Sequence, residues 1–205
     1  MNIVAMASGS GTTLQAMLDA IENKALDARV ALVISNKEDA YALERARQAG
    51  IDTYVIQAKT DAEMDAELSE VLSKMQADLI TLVGYLRKIG SRVCRTYEGR
   101  IINTHPSLIP NYCGKGMHGM HVHKAVIAAG EAKSGVTLHY VNEQYDEGDI
   151  IRQTEVIVEP GWDAEDLSAA VQRAEKIQLI EELQRLACVW HQRNNVAADL
   201  TGCLH

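Results

Sequence analysis

Residues 2–22 read NIVAMASGSGTTLQAMLDAIE, and this stretch decides the fold. It begins with the apolar run Asn2–Ala7, which is typical of a strand buried on both faces. A glycine-rich turn follows, and the apolar residues of Thr12–Glu22 then recur at helical spacing. The stretch therefore predicts a strand, a tight turn and a helix in succession.

The same alternation continues through the first half of the chain. Further strands are predicted at Arg29–Ser35, Asp52–Ile56, Asp78–Tyr85 and the segment that ends at His105. The helices predicted between the strands are Thr12–Glu22, Asp39–Ala49, Asp61–Met75 and Ile89–Thr96. Because strands and helices alternate, we predict an α/β fold with a doubly wound, mostly parallel sheet.

The pattern changes after the predicted helix His121–Ala129. Gly135–Asn142 and Ile150–Val158 both have strand character, and only the acidic segment Glu143–Asp149 separates them. Such a short connection suits antiparallel neighbours. We therefore predict an antiparallel extension of the sheet near the carboxyl-terminal part.

A long final helix is predicted, with Asp163 as its N-cap and Ala164–Trp190 as its body. No linker or low-complexity segment interrupts the chain, so residues 1–205 are predicted to form a single domain. Residues 192–205 are polar without clear periodicity, and we interpret them as a frayed tail.

Composition narrows the classes of function. At 205 residues with 47% hydrophobic content, the chain can bury a sizeable core, and no apolar run is long enough to span a membrane. A net charge of −8 argues against nucleic acid as a partner. Four cysteines without metal-ligand spacing favour free thiols in a cytoplasmic protein. The sequence leaves both a monomer and a homodimer open.

The first candidate site is the turn Ser8–Thr13, SGSGTT. Its glycines allow close backbone approach, and the N-terminus of the following helix attracts anions. The turn lacks the lysine of a P-loop, and Leu14 stands where a dinucleotide fingerprint has its third glycine. We interpret it as a phosphate site; a plain tight turn with a Ser/Thr cap is the alternative.

Three side chains are candidates for catalysis: Asn103, His105 and Asp146. Asn103 and His105 are two residues apart on a predicted strand, so both face the same side at its carboxyl end, where α/β sheets bind ligands. An amide beside a titratable imidazole suits a reaction in which a carbonyl oxygen gains negative charge. Asp146 would favour protonated His105 if the two meet; otherwise it belongs to a solvated acidic turn. His139 is interpreted as a packed, hydrogen-bonded histidine.

The loop Asn111–Gly119 has three glycines around Lys115 and is either a lid over substrate or a flexible connection. His118, His121 and His123 follow closely. No two of them have the i, i+4 spacing of metal ligands on a helix, so no metal site is expected.

Four motifs, in this order, resemble the phosphoribosylglycinamide formyltransferases, a branch of the folate-dependent formyltransferase superfamily. They are SGSGTTL at 8–14, LVGYLRKI at 82–89, INTHPSLIP at 102–110 and SGVTLHYVNEQYDEGDII at 134–151. The resemblance extends from Met1 to about Glu175, which is most of the chain.

This resemblance implies small-molecule substrates: 10-formyltetrahydrofolate as co-substrate, and glycinamide ribonucleotide as the amine that receives the formyl group in purine biosynthesis. The residues that match the family's catalytic trio are Asn103, His105 and Asp146. Those implied for the ribonucleotide are Gly11, Thr12, Thr13 and Glu175. Those implied for the folate are Leu86, Arg87, Lys88, Ile89, Asn103, Asn142 and Tyr145.

The sequence departs from the family pattern at four places. Thr13 replaces a common asparagine, and Asp61–Glu67 offers no arginine where many members use one for folate. Lys176 stands in place of a typical histidine, and the usual Tyr-Pro pair is absent from 178–180. The final helix is therefore expected to run on uninterrupted.

The sequence also leaves other functions open. An amino sugar nucleotide formyltransferase would have a similar trio. Formyltetrahydrofolate hydrolase and methionyl-tRNA formyltransferase would be expected to carry an additional domain, respectively before and after the core. A non-catalytic nucleotide-binding α/β module would not need Asn103, His105 and Asp146 to converge.

Overall fold

Seven strands form one mixed sheet in the computed structural model, which describes residues 1–202 and the side chains of residues 1–194. The strands are β1 (Asn2–Met6), β2 (Arg29–Ser35), β3 (Thr53–Val55), β4 (Leu79–Leu82), β5 (Ile101–His105), β6 (Lys133–Tyr140) and β7 (Ile150–Ile157). Six helices lie in the same described range: α1 (Thr12–Glu22), α2 (Tyr41–Gln48), α3 (Asp61–Met75), α4 (Ser91–Thr96), α5 (Met120–Ala128) and α6 (Ala164–Gly202).

The sheet has the strand order β3-β2-β1-β4-β5-β6-β7. All pairs from β3 to β5 are parallel, whereas β6 is antiparallel to β5 and β7 is antiparallel to β6. This confirms the predicted fold class. The chain runs outward from β1 to β3 and then crosses back to β4, so a crevice opens at the carboxyl ends of β1 and β4.

Helices cover both faces of the sheet because its central strands are apolar on both sides. Along β1, Ile3 and Ala5 pack in the cluster that contains residues of α1, α2 and α6. Val4 and Met6 point to the other face and pack in the cluster formed with α3 and α4. This alternation is the period of two that a strand imposes, here with both faces buried.

The predicted element boundaries hold to within a few residues. Gly50, just beyond the end of α2, has φ of +70°, the left-handed conformation that glycine supplies at helix ends. The Asp163 carboxylate accepts hydrogen bonds from the Glu165 and Asp166 N–H groups, so it caps α6 as predicted.

The end of α6 differs from the prediction. The helix does not stop near Trp190 but continues to Gly202, so residues 192–202 are helical rather than a frayed tail; residues 203–205 lie outside the described range. No proline follows Pro160 to interrupt it. The Gln184 side chain also donates to the Ala25 carbonyl, which ties the helix to the turn after α1.

None of the described helices combines the length and apolar character that a transmembrane segment requires.

Candidate active site

A cleft of about 630 Å³ opens at the carboxyl ends of β1, β4 and β5. It lies where the strand order reverses, the usual ligand position in an open α/β sheet. Every residue assigned to the site from the sequence lines it: Gly11, Thr12, Thr13, Leu86, Arg87, Lys88, Ile89, Asn103, His105, Asn142, Tyr145, Asp146 and Glu175. Residues from five separate segments of the chain thus converge on one cavity.

His105 and Asp146 face each other in this cleft. His105 is 4% exposed, and its Nδ1 lies 3.6 Å from Asp146 Oδ2, the distance of an ion pair without a close hydrogen bond. Its other nitrogen, Nε2, lies 2.9 Å from the Tyr112 carbonyl oxygen. Because a carbonyl can only accept, Nε2 carries a proton, and Nδ1 is left facing the carboxylate.

The loop after β5 positions both members of this pair. Tyr112 presents its carbonyl to His105, and the Gly114 N–H donates to Asp146 Oδ2 at 2.9 Å. Tyr112 and Asp146 both have positive φ values, 53° and 54°, which is uncommon for residues other than glycine and is often found at functional sites. For the loop Asn111–Gly119 the sequence leaves a lid and a flexible connection open, and no sequence pattern indicates these backbone contacts.

Asn103 contacts His139 rather than His105 or Asp146. Its Nδ2 lies 3.0 Å from His139 Nε2, while His139 Nδ1 donates to the Tyr140 carbonyl at 2.8 Å. With Nδ1 donating to a carbonyl and Nε2 accepting from the Asn103 amide, the ring is in its neutral form. Burial lowers the pKa of His139 in the same direction, although Asp146 Oδ1, 3.7 Å from Nε2, opposes this shift. His139 is therefore the packed histidine that the sequence indicated, and it also orients the amide.

The glycine-rich turn presents the start of α1 to the cleft. Gly11 precedes the helix with φ of +70°, and no side chain caps the first N–H groups. The alternative of a turn closed by a Ser/Thr cap therefore does not describe it. Backbone N–H groups at a helix start, together with the Thr12 hydroxyl, suit an anion.

Glu175 connects the turn to the far wall of the cleft. Its Oε1 accepts hydrogen bonds from Thr13 at 3.1 Å and from Thr104 at 2.8 Å. Burial raises the pKa of this carboxyl, and the two threonine hydroxyls and Lys176 partly oppose that effect. Thr13 therefore serves the carboxylate in this structure, and the two hydroxyls hold Glu175 in a fixed orientation.

The opposite wall is apolar and partly open. Leu86 is 45% exposed and Tyr145 is 42% exposed, and the Lys88 ammonium lies 5.4 Å from the Tyr145 ring centroid. Arg87 pairs with Asp61 at the start of α3. Exposed apolar side chains that line a cavity suit a flat organic ligand.

Three histidines lie at the end of the loop after β5 and in α5: His118, His121 and His123. His118 and His123 line the cleft, and the rings of His118 and His121 lie 5.5 Å apart. In the part of the chain with described side chains, no group of three or more His, Cys, Asp or Glu residues is arranged to hold a metal ion.

Comparison with known proteins places this geometry in a family. The sequence model of the formyl transferase family matches residues 1–183. Over 178 residues the chain is 37% identical to the phosphoribosylglycinamide formyltransferase of Escherichia coli (strain K12), covering 85% of this chain and 82% of that protein. The chain belongs to the phosphoribosylglycinamide formyltransferase family.

Two further family relatives show the extent of the match. The trifunctional purine biosynthetic protein adenosine-3 of Drosophila melanogaster is 41% identical over 178 residues, which are 84% of this chain but only 13% of that protein. The crystal structure of glycinamide ribonucleotide transformylase 1 from Symbiobacterium toebii has a TM-score of 0.85 and 36% identity, covering 91% of this chain and 87% of that one.

The departures from the family pattern have structural counterparts. Thr13 donates to Glu175, and Arg87 reaches Asp61 in the region where the expected arginine is missing. With no Tyr-Pro pair at 178–180, α6 continues unbroken, and the Gln178 amide donates to the Arg152 carbonyl on β7.

Proposed function

We propose that this chain transfers the formyl group of 10-formyltetrahydrofolate to the amine of glycinamide ribonucleotide in purine biosynthesis. One observation carries the proposal: the His105–Asp146 pair and the Asn103 amide line a single cleft between a turn suited to phosphate and an apolar wall suited to a folate. The family of the chain supports the same reaction.

The chemistry follows from these groups. The substrate amine attacks the formyl carbon, the carbonyl electron pair moves to oxygen, and a tetrahedral intermediate forms. Asn103 and protonated His105 stabilise the oxyanion, while Asp146 stabilises the imidazolium. When the intermediate collapses, the bond to N10 of the folate breaks, N10 gains a proton and the former amine loses one. In protonated His105 the transferable proton is on Nδ1, since Nε2–H is held by the Tyr112 carbonyl. Nδ1 gives this proton to N10 of the folate and then takes the proton that the former amine loses, so the imidazolium is restored.

Each part of the substrates is assigned to the part of the cleft whose residues match its chemistry. The ribonucleotide phosphate lies against Gly11–Thr13, and Glu175 accepts from the glycinamide portion. The folate lies along Leu86–Ile89, with Asn142 and Tyr145 on the other side. This arrangement brings the amine and the formyl carbon together above Asn103 and His105, which is how binding energy supplies proximity.

The direct test offers 10-formyltetrahydrofolate with glycinamide ribonucleotide, with an amino sugar nucleotide, and with water alone. We expect formylglycinamide ribonucleotide in the first mixture and little folate turnover in the others. Transfer only to the sugar nucleotide, or folate hydrolysis without an acceptor, would contradict the proposed substrate.

Substitution of the pair tests the mechanism. We expect His105→Ala and Asp146→Asn to lower kcat by about 10²–10³, because each removes stabilisation of charge in the transition state. The chain offers a matched control in His191 and Asp27, a second His–Asp pair with a 3.0 Å contact that does not line the cleft. His191→Ala and Asp27→Asn should retain normal turnover. Normal turnover in either cleft variant would refute the mechanism.

A further inference from the structure

The hydroxyl of Ser8 joins three loops beneath the cleft. Ser8 follows β1 and is 3% exposed. Its Oγ donates to the Asn36 side-chain oxygen, just after β2, and accepts the Leu86 N–H at 2.9 Å, beyond β4. Its own N–H donates to the Gly84 carbonyl at 3.0 Å. Ser8 does not line the cleft itself.

The two loops that flank the cleft depend on Ser8 unequally. The glycine-rich turn Ser8–Thr13 has anchors of its own on α2, because the Ala42 N–H donates to the Gly9 carbonyl at 3.1 Å and Arg45 Nε donates to the Ser10 carbonyl at 2.8 Å. For the Leu86 N–H, the acceptor within the described residues is Ser8 Oγ. Loss of the hydroxyl should therefore disturb Leu86 more than the turn.

We infer that Ser8 is a positioning residue of the formyl-donor site, acting through Leu86 on the apolar wall where the reduced folate binds. This inference rests on the proposed function. A hydroxyl suits the position because it donates to an amide oxygen and accepts from a backbone N–H at once. An alanine would leave both partners of a partly buried hydroxyl unpaired, and an unpaired polar group that is shielded from water is costly.

The test compares Ser8→Ala, Ser8→Thr and Ser134→Ala in steady-state assays with each substrate varied. Ser8→Ala should raise KM for 10-formyltetrahydrofolate about tenfold, with much smaller changes in kcat and in KM for the ribonucleotide. Ser8→Thr keeps the hydroxyl and should restore most of the donor affinity. Ser134 is a matched control, since it is equally buried, its hydroxyl has no partner within the described residues, and it lies outside the cleft.

Asn36→Ala provides a second variant, because it removes the acceptor of the Ser8 proton without changing Ser8. It should raise the donor KM by less than Ser8→Ala does. Calorimetric titration with 5-formyltetrahydrofolate measures donor-site affinity without turnover, and Ser8→Ala should weaken it by the same factor.

The outcomes separate this inference from the proposed function. If the wild-type chain neither binds reduced folate nor transfers formyl, the proposed function fails. If the wild-type chain is active but Ser8→Ala leaves the donor KM and calorimetric affinity unchanged, raises both KM values equally, or behaves like Ser134→Ala, the role assigned to Ser8 is wrong.

Discussion

His139 shows how one residue in the cleft is set by its neighbours. His139 Nδ1–H donates to the Tyr140 carbonyl, and burial lowers the pKa of the ring, so in the neutral ring Nε2 is an acceptor. That acceptor fixes Asn103 with its nitrogen toward the ring. One amide proton is then committed to His139, and the other is available to a developing oxyanion.

We expect His139→Phe, which keeps a ring but removes the acceptor, to lower kcat about tenfold and KM values little. The loss is smaller than that for His105→Ala because a hydrogen bond that only orients a donor contributes about 1 kcal/mol. A double-mutant cycle with Asn103→Ala measures the coupling. If the two losses simply add, His139 does not act through Asn103.

At the level of elements, the glycine-rich turn Ser8–Thr13 depends on how α1 and α2 pack. A Cβ added to Gly11 would lie 2.7 Å from the Ala42 Cα and Cβ atoms, and the φ of +70° is unfavourable for any side chain. Gly9, on the same turn, has open space at its Cβ position and no positive φ. Gly9 is therefore not required for folding, whereas Gly11 is required because α2 packs closely against it.

We therefore expect Gly11→Ala to lower the free energy of unfolding by about 2–4 kcal/mol, from overpacking together with left-handed strain. Thermal unfolding without ligand measures this change, and about 1 kcal/mol corresponds to about 2–4 °C in a chain of this size. Gly9→Ala should unfold within about 1 °C of the wild-type chain. Equal melting temperatures for the two variants would contradict the packing argument.

The sequence predicts those parts of this architecture that depend on local pattern. Strands such as Arg29–Ser35 and helices such as Asp61–Met75 match within a residue because apolar spacing and caps are local signals. The contacts of Tyr112 with His105, and of Gly114 with Asp146, were not predictable, since they arise from backbone groups in an irregular loop. The predicted end of α6 at Trp190 was too early because residues 192–202 have no clear apolar periodicity and include poor helix formers such as Asn194.

At the scale of the whole molecule, the cleft contains several titratable groups whose pKa values are shifted in the direction that favours their neutral forms. Burial raises the pKa of Glu175 and lowers those of His139 and His123. A carboxyl with a raised pKa contributes stability below the ordinary value of 4.5, and this is lost as pH rises through the folded-state pKa. The two histidines act oppositely, contributing above 6.5 and losing stability as pH falls through their lowered values.

Glu175→Gln separates stability from function at this site. The glutamine amide oxygen can still accept hydrogen bonds from Thr13 and Thr104. The substitution removes the free-energy cost of burying an ionised carboxylate. At pH 7.5 the variant should melt a few degrees above the wild-type chain, since about 1 kcal/mol corresponds to about 2–4 °C. At pH 4, where the wild-type carboxyl is already protonated, the difference should vanish.

The same variant should bind the amine substrate less well, because a carboxylate that accepts from an amine is replaced by a neutral amide. Glu38→Gln, at an exposed position, controls for the loss of one negative charge and should shift neither melting temperature nor KM. The opposite result would be a Glu175→Gln variant whose melting temperature, relative to the wild-type chain, is lower at pH 7.5 than at pH 4. It would mean that the ionised carboxylate stabilises the fold, and that the two threonine hydroxyls outweigh its burial.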